Sequence, residues 1–319
     1  MKTVYLNNFM SSVVTELERN GQYSTAHVCG SVLRSVMVFD GDGLLLSGIT
    51  PLWLKAYEHY LLHKGEKGLE WNTISTYMRM LRAVYNRAVV RKLVPFVPHL
   101  FREVFTGRKA DHRRVLEWDD MRQLLAEKDL DIISPGMEWA RACLELMFRF
   151  HGMPFVDLAY LEKSNLEGNM LKYNRAKTGI PMNVEILDSA ATIISQLRNK
   201  HTTVLPEHPD YLFYILSGKN KRSDEAGYKE YQSALRCFNN DLKSLARKLC
   251  IRSSVTSYTF RHSWATTAKY RGVPIEMISE SLGHKSIKTT QIYLKGFELS
   301  ERTKVNRLNY SYVMNFKTI

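Results

Sequence analysis

The sequence predicts a mainly α-helical protein with a small antiparallel β-sheet, an α+β fold divided between two domains. Three observations lead to this prediction. Apolar residues recur at helical spacing over most of the chain, one short stretch alternates as β-strands do, and 319 residues exceed the roughly 100 to 200 of a single domain. A composition that is 45% hydrophobic and 24% charged is that of a folded chain and argues against a disordered one.

Residues 1–94 are predicted to form a helical domain. Thr50 and Pro51 suit the N-cap and the first position of a helix, which then continues over LWLKAYEHYLL. A second clear helix begins near Asn72. Its apolar face is expected to carry Ile74, Tyr77, Leu81 and Val84, and its polar face Arg79, Arg82 and Arg87.

The three arginines make the polar face of that second helix basic. Such a face can lie against the phosphates of DNA, in which case Arg79, Arg82 and Arg87 would contact them. A solvated arginine face with no ligand would have the same pattern. We therefore treat these residues as candidates for DNA binding.

The helical pattern breaks after this first domain. Between Leu93 and Arg114 two prolines, a glycine and several basic residues interrupt any long helix. We predict an interdomain linker over residues 95–114. A second domain is then expected over residues 115–319, including a C-terminal tail.

The second domain is predicted to contain the small sheet between two sets of helices. Helical periodicity resumes at Trp118 and again from Met137 to Phe150. The stretch NMLKYNRAKTGIPMNVEI then has β-prone segments separated by Lys177-Thr178-Gly179, which predicts a hairpin or small antiparallel sheet. Helices return from Asp188 onward.

The charge of the chain favours a polyanionic partner. A net charge of +13 and a sequence pI of about 9.5 place nucleic acid ahead of an acidic membrane. No stretch approaches the roughly 18 apolar residues of a membrane-spanning helix, so we expect a cytoplasmic protein without a membrane partner. The four cysteines include no CxxC pair, and no zinc site is implied.

The stretch from Thr256 to Phe297 carries the most chemical information. Its pattern predicts a helix after Tyr258, a turn, a second helix to Leu282, a break at Gly283-His284 and a further turn leading to Tyr293. Arg261, His284 and Tyr293 are the side-chain types needed to attack a phosphodiester: a cation, a hydrogen-bonding imidazole and a nucleophilic hydroxyl. Each alone has an ordinary explanation as a surface, packed or core residue.

Their order and spacing resemble the C-terminal signature of the tyrosine recombinases, the phage-integrase family. In that signature an arginine-histidine pair opens a helix, LGH follows about twenty residues later, and the nucleophilic tyrosine comes nine residues after that histidine. Arg261-His262, Leu282-Gly283-His284 and Tyr293 fit this frame without a gap. The resemblance implies a helical core-binding domain followed by a catalytic domain, with Tyr293 as nucleophile and Arg261 and His284 at the phosphate.

The resemblance extends to two segments upstream. AKTG is similar to the hairpin turn that carries the family's catalytic lysine, so Lys177 is the matching position. The segment from Gly152 to Leu158, GMPFVDL, is similar to the family's first arginine box, and Asp157 matches its acidic position.

Two positions depart from the usual family pattern. Pro154 stands where most members have the first catalytic arginine, and its side chain carries neither charge nor a donor. Arg149, about one helical turn earlier, is the sequence candidate for a replacement. Tyr258 stands where most members have histidine, and its hydroxyl can still donate to a phosphate oxygen. Both departures resemble a branch with GMxFVD and SYxxRHSWAT boxes, often found in integrases of mobile elements.

The resemblance implies a site-specific recombinase that cleaves and rejoins DNA through a 3′-phosphotyrosyl intermediate, without metal or other cofactor. Its implied partners are double-stranded DNA with paired recombination sites, three further copies of the chain in a homotetramer, and accessory DNA-bending proteins. A non-cutting DNA-binding relative and a type IB topoisomerase-like enzyme are the alternatives. The target sequence and the choice among integration, excision and inversion stay open.

Overall fold

The computed structural model describes residues 3–109, 115–125, 133–201, 210–294, 296 and 299–314. The chain divides into two compact units, one formed by residues 1–109 with 222–228 and the other by 110–221 with 229–319. The predicted mainly helical fold with one small antiparallel sheet is confirmed. No helix in the described ranges is long and apolar enough to cross a membrane.

The first unit is built from four helices around one apolar core. They are α1 (Leu6–Arg19), α2 (Tyr23–Asp40), α3 (Pro51–Leu62) and α4 (Trp71–Val90). The predicted start of α3 is confirmed, because the Thr50 hydroxyl accepts a hydrogen bond from Trp53 N at 3.2 Å and Pro51 is the first helical residue. This cap satisfies one of the backbone donors left open at the start of a helix.

Helix α4 buries the predicted apolar face. Ile74, Leu81 and Val84 are buried in the first core, whereas Tyr77 is only partly buried. Their spacing places them on one stripe of a 3.6-residue helix. Burial of this stripe directs the arginines at 79, 82 and 87 away from the centre of the core.

The first core also includes part of the segment predicted as a linker. Leu100, Phe101 and Val104 are buried in it. The buried Glu58 carboxylate accepts hydrogen bonds from Phe105 N at 2.6 Å and from Lys55 Nζ at 3.0 Å, which fixes the approach of this segment to α3. Residues 110–114 lie outside the described residues, and the boundary between the domains stays a prediction.

The second unit contains the sheet and the remaining helices. Before and after the sheet these are α5 (Trp118–Leu125), α6 (Pro135–Arg149), α7 (Phe155–Ala159), α8 (Asp188–His201) and α9 (Glu225–Lys248), which belongs to this unit from Lys229 onward. Helix α6 begins as sequence rules require, with Ser134 Oγ accepting from Met137 N at 3.4 Å and Pro135 at the first position. The largest core of the molecule forms where these helices pack on the sheet.

The sheet has three antiparallel strands in sequence order. They are β1 (Leu166–Glu167), β2 (Met170–Asn174) and β3 (Pro181–Glu185). The predicted hairpin is confirmed as β2 and β3, in which Leu171 pairs with Val184 and both side chains are buried. Alternate residues face the core, so the register of the hairpin is fixed by burial of one face.

The C-terminal part of the second unit contains four helices. They are α10 (Thr259–Tyr270), α11 (Ile275–Ser281), α12 (Ile287–Tyr293) and α13 (Leu299–Met314). Helix α12 replaces the turn that the sequence predicted before Tyr293. Its Ile and Thr residues have weak helix propensity, so the sequence signal was faint, and the helix packs against α11 in the structure.

Phe238 lies at the centre of the second core and provides a test of its packing. Its ring stacks on Phe155 with centroids 4.3 Å apart and meets Trp139 edge-on at 5.9 Å. We expect Phe238→Ala to lower the free energy of unfolding by about 3–5 kcal/mol, because it removes a fully buried ring and leaves a cavity. Urea denaturation followed by tryptophan fluorescence measures this loss.

Leu187→Ala is the matched control for that substitution. Its side chain is 61% exposed, so its truncation should change stability by less than about 0.5 kcal/mol. Equal stabilities of the two variants would contradict the packing described for Phe238.

Candidate active site

The buried side chain of Arg261 joins two loops of the second unit. It comes from the first turn of α10 and is 2% exposed. Its Nη1 donates to the carbonyl of Gly152 at 2.8 Å, and its Nη2 donates to the carbonyl of Leu282. Carbonyl acceptors on both sides hold the guanidinium in one orientation.

The turn at Gly152 is shaped to let Arg261 approach. Gly152 has φ of 67°, and a Cβ built on it would lie 3.2 Å from Arg261 Cα. The preceding residue, His151, also has positive φ, at 56°. A glycine therefore serves here both for its left-handed backbone and for its missing side chain.

His284 lies next to Arg261 and accepts from it. Its Nε2 is 3.3 Å from Arg261 Nη2, and its Nδ1 is 2.9 Å from the hydroxyl of Thr290, which is fully buried in α12. Guanidinium nitrogens only donate hydrogen bonds, so Nε2 is the acceptor and Nδ1 carries the proton. The contact with Thr290 also explains why α12 is positioned close to the site.

The pKa of His284 is lowered to about 4. Burial is the largest cause, followed by the positive charges of Arg261, Arg175 and Lys177 and by His262. The imidazole is therefore neutral at pH 7, in agreement with the hydrogen-bond pattern. The site presents an acceptor nitrogen beside a fixed cation.

The chain at Gly283, immediately before His284, packs closely against the β-hairpin. Its φ is 62°, and a Cβ built on it would lie 2.6 Å from Arg175 Cδ and 2.8 Å from Met182 Sδ. The Gly283 carbonyl accepts from the Thr178 hydroxyl at 3.1 Å. Because Thr178 belongs to the hairpin turn, this contact places the turn beside His284.

Lys177 lies in that same turn between β2 and β3. Its side chain is exposed, and its charge is close enough to contribute to the lowered pKa of His284. The structure therefore brings Lys177, Arg261 and His284 to one region of the second unit.

A second buried arginine lies at this site, and the sequence interpretation missed it. Arg175 Nη1 donates to Asp157 Oδ2 at 2.7 Å, and the two side chains are 3% and 1% exposed. The other carboxylate oxygen, Oδ1, accepts from Ala176 N at 2.8 Å. A signal was present, because an aspartate within the apolar box GMPFVDL is expected to be buried and then needs a cationic partner.

Pro154 occupies the N-cap of α7 and has a structural role there. Its φ is −70°, and its carbonyl accepts from Asp157 N at 2.9 Å and from Leu158 N at 3.1 Å. These bonds begin the helix that positions Asp157. Pro154 therefore helps to start α7 and contributes no charge to the site.

The remaining candidates of the second unit are placed differently. Tyr258 is the N-cap of α10, partly buried, with its ring centroid 5.9 Å from that of His262. Tyr293 is the last residue of α12, and its side chain lies outside the described part of the structure. Arg149 bonds with Glu145 Oε1 through Nε and Nη2 and with Ser189 Oγ through Nη1, so its described contacts do not join it to Arg261.

The basic face of α4 belongs to the first unit. Burial and the nearby charges of Arg108 and Arg82 lower the pKa of Arg79. These three arginines therefore form a cluster of like charges. Arg87 differs from them, because its Nη1 lies 3.5 Å from a carboxylate oxygen of Glu16.

Comparison with protein families gives two matches that follow one another along the chain. The phage integrase SAM-like domain matches residues 5–101, and the phage integrase family matches residues 114–298. The second match includes the candidate active-site residues of the second unit, from Arg149 to Tyr293. The first match ends close to the end of the first unit.

Individual relatives are similar over different lengths. The tyrosine recombinase XerD of Staphylococcus aureus is 25% identical over 238 residues, which cover 72% of this chain and 74% of that protein. Two resolvases of Escherichia coli are 40% and 47% identical over 57 and 45 residues, or 18% and 14% of this chain. The chain spans only 22% and 17% of the length of these two resolvases.

Solved structures share the fold. The Tn1549 transposon integrase in complex with transposon right end DNA gives a TM-score of 0.63 at 13% identity, over 96% of this chain and 100% of that one. A lambda integrase tetramer bound to a Holliday junction gives 0.61 at 16% identity, over 93% and 80%. At these identities the likeness concerns the fold.

The lowered pKa of His284 predicts how stability depends on pH. The unfolded chain binds a proton on this residue near pH 6.5, whereas the folded chain does so only near pH 4. The unfolded state therefore holds more protons in this window, and the free energy of unfolding should fall as the pH drops from about 6.5 to 4. Urea titrations at several pH values should show a weaker fall for His284→Gln; equal slopes would contradict the lowered pKa.

Gly283→Ala tests the contact between the break and the hairpin. We expect a loss of stability of at least about 1 kcal/mol from the left-handed backbone alone. The collision with Arg175 should increase it. Gly272→Ala is the control, because Gly272 also has positive φ, 78°, but a Cβ there would meet nothing within 4 Å. Denaturation curves that show equal losses for both variants would exclude a specific contribution from the Arg175 contact.

Proposed function

The chain belongs to the phage integrase family of tyrosine recombinases, and we propose that it is a site-specific recombinase that cleaves and rejoins DNA through a 3′-phosphotyrosyl intermediate. One observation carries the proposal: Arg261 and His284 are in contact, beside the hairpin turn of Lys177 and the helix that ends at Tyr293. A cation, an imidazole, an amine and a phenol are the groups that this reaction needs.

Arg261 binds the non-bridging oxygens of the scissile phosphate in this proposal, with Tyr258 and His284 as further contacts. Charge grows on those oxygens in the transition state, and a prepositioned guanidinium offsets it without reorganising. Loss of one such contact costs about 2.7–4 kcal/mol of barrier by analogy with an oxyanion-hole donor. The fixed orientation of Arg261 supports this role.

His284 changes its protonation when DNA arrives. In the free protein its Nε2 accepts from Arg261, and the surrounding cations keep it neutral. A bound phosphate places negative charge beside the ring and raises the pKa of the imidazole. Proton exchange with the phenol of Tyr293 or with a phosphate oxygen then occurs close to neutral pH.

Tyr293 attacks the phosphorus in line, and its phenolic proton passes to the neutral imidazole of His284. A new bond forms between the phenolic oxygen and phosphorus, and the bond from phosphorus to the 5′ oxygen breaks. Lys177 gives a proton to that oxygen, which leaves as a 5′ hydroxyl. A 5′ hydroxyl of a partner strand reverses the step, so the ester conserves the bond energy and no ATP is needed.

We propose a homotetramer on two DNA sites, in keeping with the lambda integrase tetramer bound to a Holliday junction. Helix α13 supports a docking role, because many of its apolar side chains are exposed, among them Val305, Leu308, Tyr310 and Met314. The cluster of Arg79, Arg82 and Arg108 is proposed to contact DNA phosphates. We further propose that the protein acts on DNA in the cytoplasm, with accessory DNA-bending proteins as further partners.

A suicide substrate tests the proposal. We expect the wild-type chain, incubated without metal with nicked duplexes that carry candidate sites, to yield a covalent protein–DNA band on a denaturing gel. Tyr293→Phe should yield none, because the nucleophile is gone. Tyr5→Phe, which changes an exposed tyrosine of the first unit, is the matched control and should behave as wild type.

The same experiment separates the alternatives. DNA binding without any adduct at several sites would favour a non-cutting relative. An adduct accompanied by relaxation of plasmids that lack paired sites would favour a type IB topoisomerase-like enzyme.

A further inference from the structure

We propose that Arg175 is a catalytic residue that reaches the scissile phosphate from the β-hairpin and supplies the second guanidinium at a site where Pro154 supplies none. The inference rests on the proposed function, because it names a further group in the same phosphate site. Three observations on Arg175 carry it: its position, its hydrogen bonds and the balance of buried charge around it.

The position of Arg175 is at the centre of the site. It follows β2 directly and lies two residues before Lys177. Its side chain passes so close to Gly283 that a Cβ there would collide with it. Its positive charge is also one of the causes that lower the pKa of His284. Arg175 therefore lies within the group formed by Lys177, His284 and Arg261.

The hydrogen bonds of Arg175 leave one buried donor unused. Nη1 donates to Asp157, but Nε is buried and has no hydrogen-bond partner among the residues that the structure describes. A buried N–H of a charged group without an acceptor destabilises the folded protein. An oxygen of a bound phosphate would satisfy it, since guanidinium groups bind phosphate through neighbouring donors.

The buried charges favour an anionic ligand. In the described part of the second unit, the buried groups with fixed charge are Arg175, Arg261 and Asp157. These two guanidinium groups and one carboxylate leave one positive charge, to which the neutral His284 adds none. A phosphodiester carries one negative charge, so it balances the site when it binds.

Asp157 acts as a positioning residue for Arg175. It lies in α7, the short helix capped by Pro154. Its two carboxylate oxygens accept hydrogen bonds from the Arg175 guanidinium and from the backbone N–H of Ala176. The GMPFVDL segment therefore contributes to phosphate binding indirectly, by fixing an arginine from the hairpin. A salt bridge that only stabilises the fold is the competing explanation, and it predicts no sensitivity to the charge of the DNA.

A neutral substrate distinguishes these explanations. The probe is the suicide duplex with either the natural phosphodiester or a methylphosphonate at the scissile position, which removes the negative charge. We expect Arg175→Met to form the covalent adduct at least about 100-fold more slowly than wild type on the phosphodiester. On the methylphosphonate the same variant should react at a rate within a few fold of wild type, because little charge remains to be offset.

Arg149→Met is the matched control, since Arg149 is also paired with a carboxylate but has no described contact with Arg261 or His284. It should react like wild type on both substrates. Arg175→Lys, which keeps the charge but loses the planar donor pair, should fall between wild type and Arg175→Met on the phosphodiester.

A second variant keeps the test valid if Arg175→Met does not fold. Asp157→Asn combined with Arg175→Gln removes both charges and leaves no unpaired buried carboxylate. Its fold is checked by denaturation before it is assayed on both substrates, with the same expectation as for Arg175→Met.

Each outcome bears on one claim. An unchanged rate for the Arg175 variants on the phosphodiester, or an equal loss on both substrates, would overturn the role of Arg175 at the phosphate. In either case a normal adduct with wild type would leave the proposed recombinase activity intact. No adduct with wild type on any phosphodiester would overturn the proposed function itself.

Discussion

The buried guanidinium of Arg261 is the interaction on which the candidate site depends. It bonds to the carbonyls of Gly152 and Leu282, two residues far apart in sequence, and so holds the turn after α6 against the break after α11. Both turns need glycine, because each has a left-handed backbone and each faces an arginine at close range. Displacement of the Arg261 guanidinium would therefore also remove the hydrogen bond that it donates to His284 Nε2.

Two buried arginines in one small region impose an electrostatic cost, which the structure offsets in different ways. Arg175 is paired with Asp157, Arg261 donates to the carbonyl oxygens of Gly152 and Leu282, and the imidazole of His284 beside Arg261 stays neutral. A site arranged like this is prepared for an anion before the anion arrives. The fold supplies the orientation of the donors, and the phosphate would supply the compensating charge.

Much of the fold could be predicted from local patterns. The caps at Thr50 and Ser134, the apolar stripe of α4 and the hairpin around Lys177 each depend on residues close in sequence. Helix α12 could not, because its residues have weak helix propensity and it is stabilised by packing against α11 and by the contact of Thr290 with His284.

The sequence by itself indicated the family and proposed Arg261, His284, Lys177 and Tyr293 as site residues, because their spacing is a property of the linear chain. Only the tertiary structure decided which other cation joins them. Arg149 was the nearest arginine in sequence to Pro154, but its guanidinium is engaged with Glu145 and Ser189. Arg175 is 21 residues beyond Pro154 and reaches the site through strand pairing and the buried charge of Asp157, which no linear spacing encodes.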